Sequence, residues 1–160
     1  MQSDELERLE HDHAHLNRLV DGLRESAQAC LRGETEPLDL RADLEEFTRV
    51  AHEELFEHFD REETGLFPYL STTLPDLAPT LAQLEAGHDR MCGLLVRLER
   101  AFDVPDERFV ADFDAVVALF ARFDALYVQH AKSEGALLRA LPTRLDAAQR
   151  REVARLLSEL

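Results

Sequence analysis

The sequence predicts an all-α protein, an up-down-up-down four-helix bundle with a short C-terminal fifth helix. Three observations carry this. Apolar residues recur at spacings of three and four along four long segments. Period-two alternation is absent throughout. Pro and Gly punctuate the chain between the segments: Gly33 with Pro37, then Pro68, Pro75 and Pro79, then Pro105, then Pro142. Short connections make consecutive helices antiparallel neighbours.

The first segment carries Leu6, Leu9, Leu16, Leu19, Val20 and Leu23, started by Ser3 with Asp4 and Glu5. The second follows Asp39 and carries Leu40, Leu44, Phe47, Val50, Ala51, Leu55, Phe59 and Leu66. Leu81, Leu84, Met91, Leu94, Leu95 and Leu98 form the third stripe. The fourth, after Asp106-Glu107, holds Phe109, Phe113, Val116, Val117, Phe120, Phe123, Tyr127, Leu137 and Leu138. A fifth helix over about residues 146–160 starts at Asp146, where Gln149 three residues on resembles a capping box. The expectation is one domain over 1–160, with the bundle over about 4–140.

Composition narrows the function. Eighteen Lys+Arg against 33 Asp+Glu give a net charge of −15, which repels phosphate backbones and anionic lipid. Nucleic acid and membrane are therefore not expected as partners. No apolar run approaches the roughly 20 residues of a membrane span. The acidic start, Met1-Gln2-Ser3-Asp4-Glu5, lacks the basic region of a secretory signal. Cys30 and Cys92 are isolated, which points away from thiolate metal sites and disulfides. A cytoplasmic location is expected. Seven histidines are the compositional oddity.

The chain also repeats itself. Leu6, Leu9, Glu10, His13, Leu16, Leu19, Val20 and Leu23 reappear 75 residues later as Leu81, Leu84, Glu85, His88, Met91, Leu94, Leu95 and Leu98. His58-x3-Glu62-x3-Leu66 matches His130-x3-Glu134-x3-Leu138 at an offset of 72. Two similar helical hairpins thus build the bundle, each with polar residues inside an apolar stripe. His13 shares the core face with Leu9 and Leu16, whereas His11 and His15, about 200° around the helix, point outward. His88 occupies the equivalent place on the third helix. In His58/Glu62 and His130/Glu134 the two side chains lie one turn apart on one face.

Heights agree with this grouping. The midpoint of His13 and His58 falls between Thr35 and Glu36, that of His58 and His88 at Thr73, and that of His88 and His130 at Phe109. Each lies within or near a predicted turn, so four histidines and two glutamates converge on one interior layer. Two carboxylates in a bundle core are very costly without a cation. Imidazole with carboxylate suits iron, manganese or zinc, and six ligands exceed one tetrahedral zinc site. They suit two metal ions about 3.5–4 Å apart with both glutamates bridging.

These residues carry a family resemblance. His13, then His58-Phe59-Asp60-Arg61-Glu62-Glu63 leading to Leu66-Phe67-Pro68, then His88, then His130-x3-Glu134 resemble the hemerythrin-like HHE cation-binding domain over roughly residues 6–140. The resemblance implies two iron ions with an oxo or hydroxo bridge, ahead of manganese or zinc. It makes His13, His58, Glu62, His88, His130 and Glu134 the metal ligands. Oxygen-carrying hemerythrins place H-x3-H on the third helix, where this chain has His88 and Cys92. They also place Asp five residues after the fourth-helix histidine, where this chain has Glu134 at four. The His4Glu2 set is closer to di-iron proteins of iron–sulfur cluster repair and to iron-sensing hemerythrin-like domains. The function implied is binding or sensing of a small diatomic or peroxide ligand, or of iron and redox state. Turnover of peroxide or NO, and iron storage or donation, are the alternatives; no protein partner is implied.

The remaining polar residues are read more plainly. Glu10 and Glu85 give E-x-x-H twice, also a ferritin-like pattern, and are expected beside the ligands or in solvent. His52 is expected at the surface or boundary, and Glu53, Glu54 and Glu57 on a solvated face, Glu54 one turn from His58. Tyr127, one turn before His130, is expected in the core stripe with a possible hydrogen bond toward the site. Cys92 is expected to pack. Gly87, Gly93 and Gly135 lie beside ligands, where close helix approach would use them.

Overall fold

A computed structural model describes residues 14–160, and every regular element among them is helical. α1 (Ala14–Leu31) buries Leu16, Val20 and Leu23 of the expected stripe together with Ala27 and Cys30, and Leu19 is partly buried; Leu6, Leu9 and the expected start at Ser3 lie outside the described residues. It ends on Gly33, whose φ of 73° is the left-handed conformation that glycine adopts freely. Gly33 N donates to Cys30 O and Glu34 N to Ala29 O, the paired bonds of a Schellman stop.

α2 (Pro37–Val50) starts with Pro37 in its first turn, and Asp39 accepts a hydrogen bond from Glu36 N. No break follows for 37 to 73. A π-helical turn (Ala51–Leu55), α3 (Phe56–Arg61), a second π-helical turn (Glu62–Leu66) and α4 (Phe67–Thr73) form one continuous rod. Pro68, read from sequence as part of a break, is instead carried inside this rod. It sits in the first turn of α4, just after the π turn has already interrupted the ordinary hydrogen-bond ladder that proline cannot join.

The chain reverses at Leu74 and a 3-10 turn (Pro75–Leu77) into α5 (Ala78–Phe102). The fourth segment is two helices rather than one: α6 (Asp106–Ala111) and α7 (Phe113–Ala140), separated at Asp112 with φ −99° and ψ 11°. Arg41 supports that jog. It donates to Phe102 O, Val104 O and the Asp106 carboxylate, and its guanidinium lies over the Phe109 ring. A 3-10 turn (Leu141–Thr143) leads to α8 (Ala147–Ser158). Asp146 caps α8 by accepting from Ala148 N and Gln149 N, and Gln149 Oε1 accepts from Asp146 N, closing the expected capping box.

α1 packs on α2 and α5 on α7. Polar pairs set the register of α1 on α7: Arg24 clasps Asp124 through two bonds of 2.8 and 2.7 Å, and the Tyr127 hydroxyl donates to Asn17 Oδ1 at 2.6 Å. The apolar core is in two parts. The larger runs from Leu16 through Phe47, Phe59, Leu95 and Phe123 to Tyr127. The smaller gathers Leu66, Phe67, Leu70, Leu84, Leu137 and Leu141 with Val153 and Leu157 of α8. Between them lies the buried polar set His58, Glu62, His88, His130 and Glu134.

The Asp146 cap gives a direct check. Asp146→Ala is expected to lower unfolding free energy by about 1 kcal/mol, read as a lower urea midpoint at unchanged slope. Asp146→Asn, which keeps the acceptor, should stay close to the parent.

Candidate metal centre

His58 stands on α3 and Glu62 opens the second π turn; His88 comes from α5, and His130 and Glu134 from α7. His13 and Glu10 lie outside the described residues. The other five expected ligands come together. His58 Nε2 is 3.2 Å from Glu62 Oε1 and 4.0 Å from Glu134 Oε1. His88 Nε2 is 3.2 Å from Glu62 Oε2 and 3.2 Å from His130 Nε2. His130 Nε2 is 3.7 Å from Glu134 Oε2.

Donor atoms form two groups, Glu62 with His88 and His130, and His58 with Glu62 and Glu134; within each, the atoms lie within 4.8 Å of one another. Glu62 belongs to both, with Oε1 facing His58 and Oε2 facing His88.

The donor set fits a cation. Glu62 is 0% exposed, and neither of its oxygens nor Glu134 Oε1 receives an aligned hydrogen bond. Buried acceptors in that state are costly, and the Nε2 atoms of His88 and His130 stand 3.2 Å apart beside them. Imidazole nitrogen with carboxylate oxygen is the ligand chemistry of iron, manganese and zinc. Electrostatics separate the two carboxylates. Burial pushes Glu62 up, but the close polar groups of His58, His88 and Glu134 outweigh it and hold the carboxyl well below its usual range. Burial and the neighbouring Glu62 charge both push Glu134 well above it.

One participant escaped the sequence reading. Glu63 Oε1 accepts from His88 Nδ1 at 2.6 Å, so consecutive glutamates meet the two nitrogens of one ring. A signal was available. From Phe47 to Leu70 the buried positions Ala51, Leu55, His58, Glu62 and Leu66 advance by about 3.8 residues a turn, wider than the 3.6 of an α-helix. That drift marks the π turns, which re-aim side chains next to functional positions.

The other polar residues fall where packing takes them. Tyr127 donates to Asn17, and burial with the charges of Glu134, Asp21 and Glu54 pushes its hydroxyl up. Glu54 pairs with His15 at 3.0 Å on the exposed side of α1. His52 pairs with Glu99 at 3.1 Å and meets Phe56 edge-on. Glu85 is exposed. Cys92 is half-buried, and burial with the Asp89 and Glu63 charges pushes its thiol up to about 11, which suits packing rather than thiolate chemistry. Of the three glycines beside ligands, Gly87 is the one that close approach requires: a Cβ there would lie 3.3 Å from His130 Nδ1.

The family model for the hemerythrin HHE cation-binding domain matches residues 4–141, and the chain belongs to that family. No curated protein and no solved structure matches it significantly.

Carboxylates buried in this state make stability depend on the cation. Chelator-treated protein, with metal loss verified, is expected to melt below the loaded protein; a free cation at 100 times its Kd would contribute about 2.7 kcal/mol. Equal melting temperatures would count against a buried site.

Proposed function

We propose that this chain is a non-heme di-iron protein that binds or senses O2, NO, peroxide, or iron and redox state. In this reading His13, His58, His88 and His130 would supply imidazoles, and Glu62 and Glu134 carboxylates, to hold the two ions. The observation that carries it is Glu62, fully buried without an aligned hydrogen bond and shared between two groups of potential ligands. Two iron ions held there would supply reversible electron transfer to a small oxidant. The chain's own residues position and exclude. Phe59 and Phe67 wall the site with apolar surface, and the two core clusters keep bulk water from it on either side.

His13 enters this reading from the sequence repeat that pairs it with His88. The whole chain is read as one domain, an up-down four-helix bundle with α8 appended, as the α1–α2 and α5–α7 pairings suggest. Two free cysteines suit a cytoplasmic location. The net charge of −15 argues against nucleic acid and anionic membranes as partners. Among the described residues, no helix is long and apolar enough to cross a membrane.

Iron per chain and the optical spectrum test the proposal. Near two irons with near-ultraviolet bands that respond to O2, NO or peroxide is the expected result; stoichiometric zinc, or no metal, would overturn it. Three single variants then test the ligand assignment. His13→Ala should lower iron content and alter the spectrum. His11→Ala and His15→Ala should leave both unchanged, with stability effects within about 0.5 kcal/mol. Iron loss in either of those, with His13→Ala keeping two, would sink the assignment of His13.

A further inference from the structure

His88 is held by one short stretch of chain, residues 59 to 67. Phe59 stacks on its ring with centroids 3.7 Å apart and planes 11° apart, and Phe67 lies near-parallel at 5.8 Å. Stacking fixes the plane of an imidazole. It does not distinguish the ring from the same ring turned over about Cβ–Cγ, since both present similar faces.

Glu63 makes the distinction. A carboxylate oxygen can only accept, so the 2.6 Å contact to Glu63 Oε1 requires Nδ1 to carry the proton. Nε2 then faces Glu62 Oε2 and His130 Nε2, both at 3.2 Å. Turning the ring over would take Nδ1 away from Glu63 and Nε2 away from that group. The Glu63 side chain is itself 39% exposed while His88 is 2% exposed, so Glu63 acts from the rim on a ring in the core. Its contact is to one of the two donor groups: His88 belongs with Glu62 and His130, whereas the other group is His58 with Glu62 and Glu134.

We propose that Glu63 is a positioning residue for His88 that governs only the Glu62–His88–His130 position of the site. The inference rests on the cation-binding reading above for its consequence, though the orientation of His88 stands on geometry alone. Carboxylates hydrogen-bonded to a ligating histidine fix its tautomer and raise its basicity, and removing one typically weakens metal affinity 10- to 100-fold.

The test uses the full chain loaded with zinc, a diamagnetic probe, and the variants Glu63→Gln and Glu63→Leu. Stepwise zinc affinity is measured by competition with a chelator, and the His88 Nδ1–H resonance by long-range 15N–1H correlation. Glu63→Leu should weaken one of two zinc equivalents 10- to 100-fold, leave the other within about threefold, and abolish the hydrogen-bonded Nδ1–H signal. Glu63→Gln, whose carbonyl can still accept, should keep the signal and lose less affinity; it also carries the test if the leucine variant fails to fold. Unchanged affinity, equal weakening of both equivalents, or a persistent Nδ1–H signal in Glu63→Leu would overturn the proposal. If the parent binds no metal, the proposed function fails, and the Nδ1–H signal still decides the role of Glu63.

Discussion

Two carboxylates placed in the middle of an apolar interior are the constraint on which the rest of this molecule depends. Glu62 and Glu134 lie between two hydrophobic clusters, so neither cluster is continuous across that layer. Imidazoles of His58, His88 and His130 surround them, yet three of the four carboxylate oxygens lack an aligned hydrogen bond. Holding such groups together without compensation costs more than most single interactions in a domain of this size contribute. A cation held there would resolve the conflict, because the carboxylate oxygens and imidazole nitrogens could serve as its ligands.

The long rod from α2 to α4 is shaped by the same layer. An undistorted helix advancing 3.6 residues a turn would rotate its buried face away over six turns. Two π-helical turns absorb the excess and keep Phe47, Leu55, Glu62 and Leu70 facing inward. The second of them begins at Glu62 itself, and it sets Glu62 and Glu63 on either side of the His88 ring. Side chains adjacent in sequence point about 100° apart on a helix, so their meeting on one imidazole depends on the local geometry of the wide turn and on how far α5 stands from it.

Outside the layer, the supports are ordinary and local. α8 adds Val153 and Leu157 to the smaller cluster, and Leu156 lies against Gly65 of the second π turn, 3.5 Å from where a Cβ would stand. Arg61 Nη1 donates to Leu160 O, tying the last residue to the turn before Glu62. This end of the molecule lies beyond the residues matched by the family model, and it closes the smaller cluster over the polar layer.

Much of this was legible in the chain because it is written in local chemistry. Periodicity of three and four gave the helical class, Gly33 marked a stop, and Asp146 with Gln149 marked a start, each through hydrogen bonds spanning no more than five residues. The repeat of His88 on His13 and of His130-x3-Glu134 on His58-x3-Glu62 singled out the polar positions within apolar stripes. Other features were not legible. Pro68 read as a break because proline usually ends a helix, and only the π turn before it, held by packing against α5 and α8, lets the rod continue. Asp112 divides α6 from α7, and Arg41, far away in sequence, anchors the loop before α6. Glu63 became a partner of His88 only through the packing of the rod against α5. Sequence by itself determined the helical class and which polar side chains share a face, since both follow from backbone spacing. Tertiary structure alone decided which carboxylate reaches which nitrogen, because a distance of 2.6 Å between separate helices is set by how their surfaces pack.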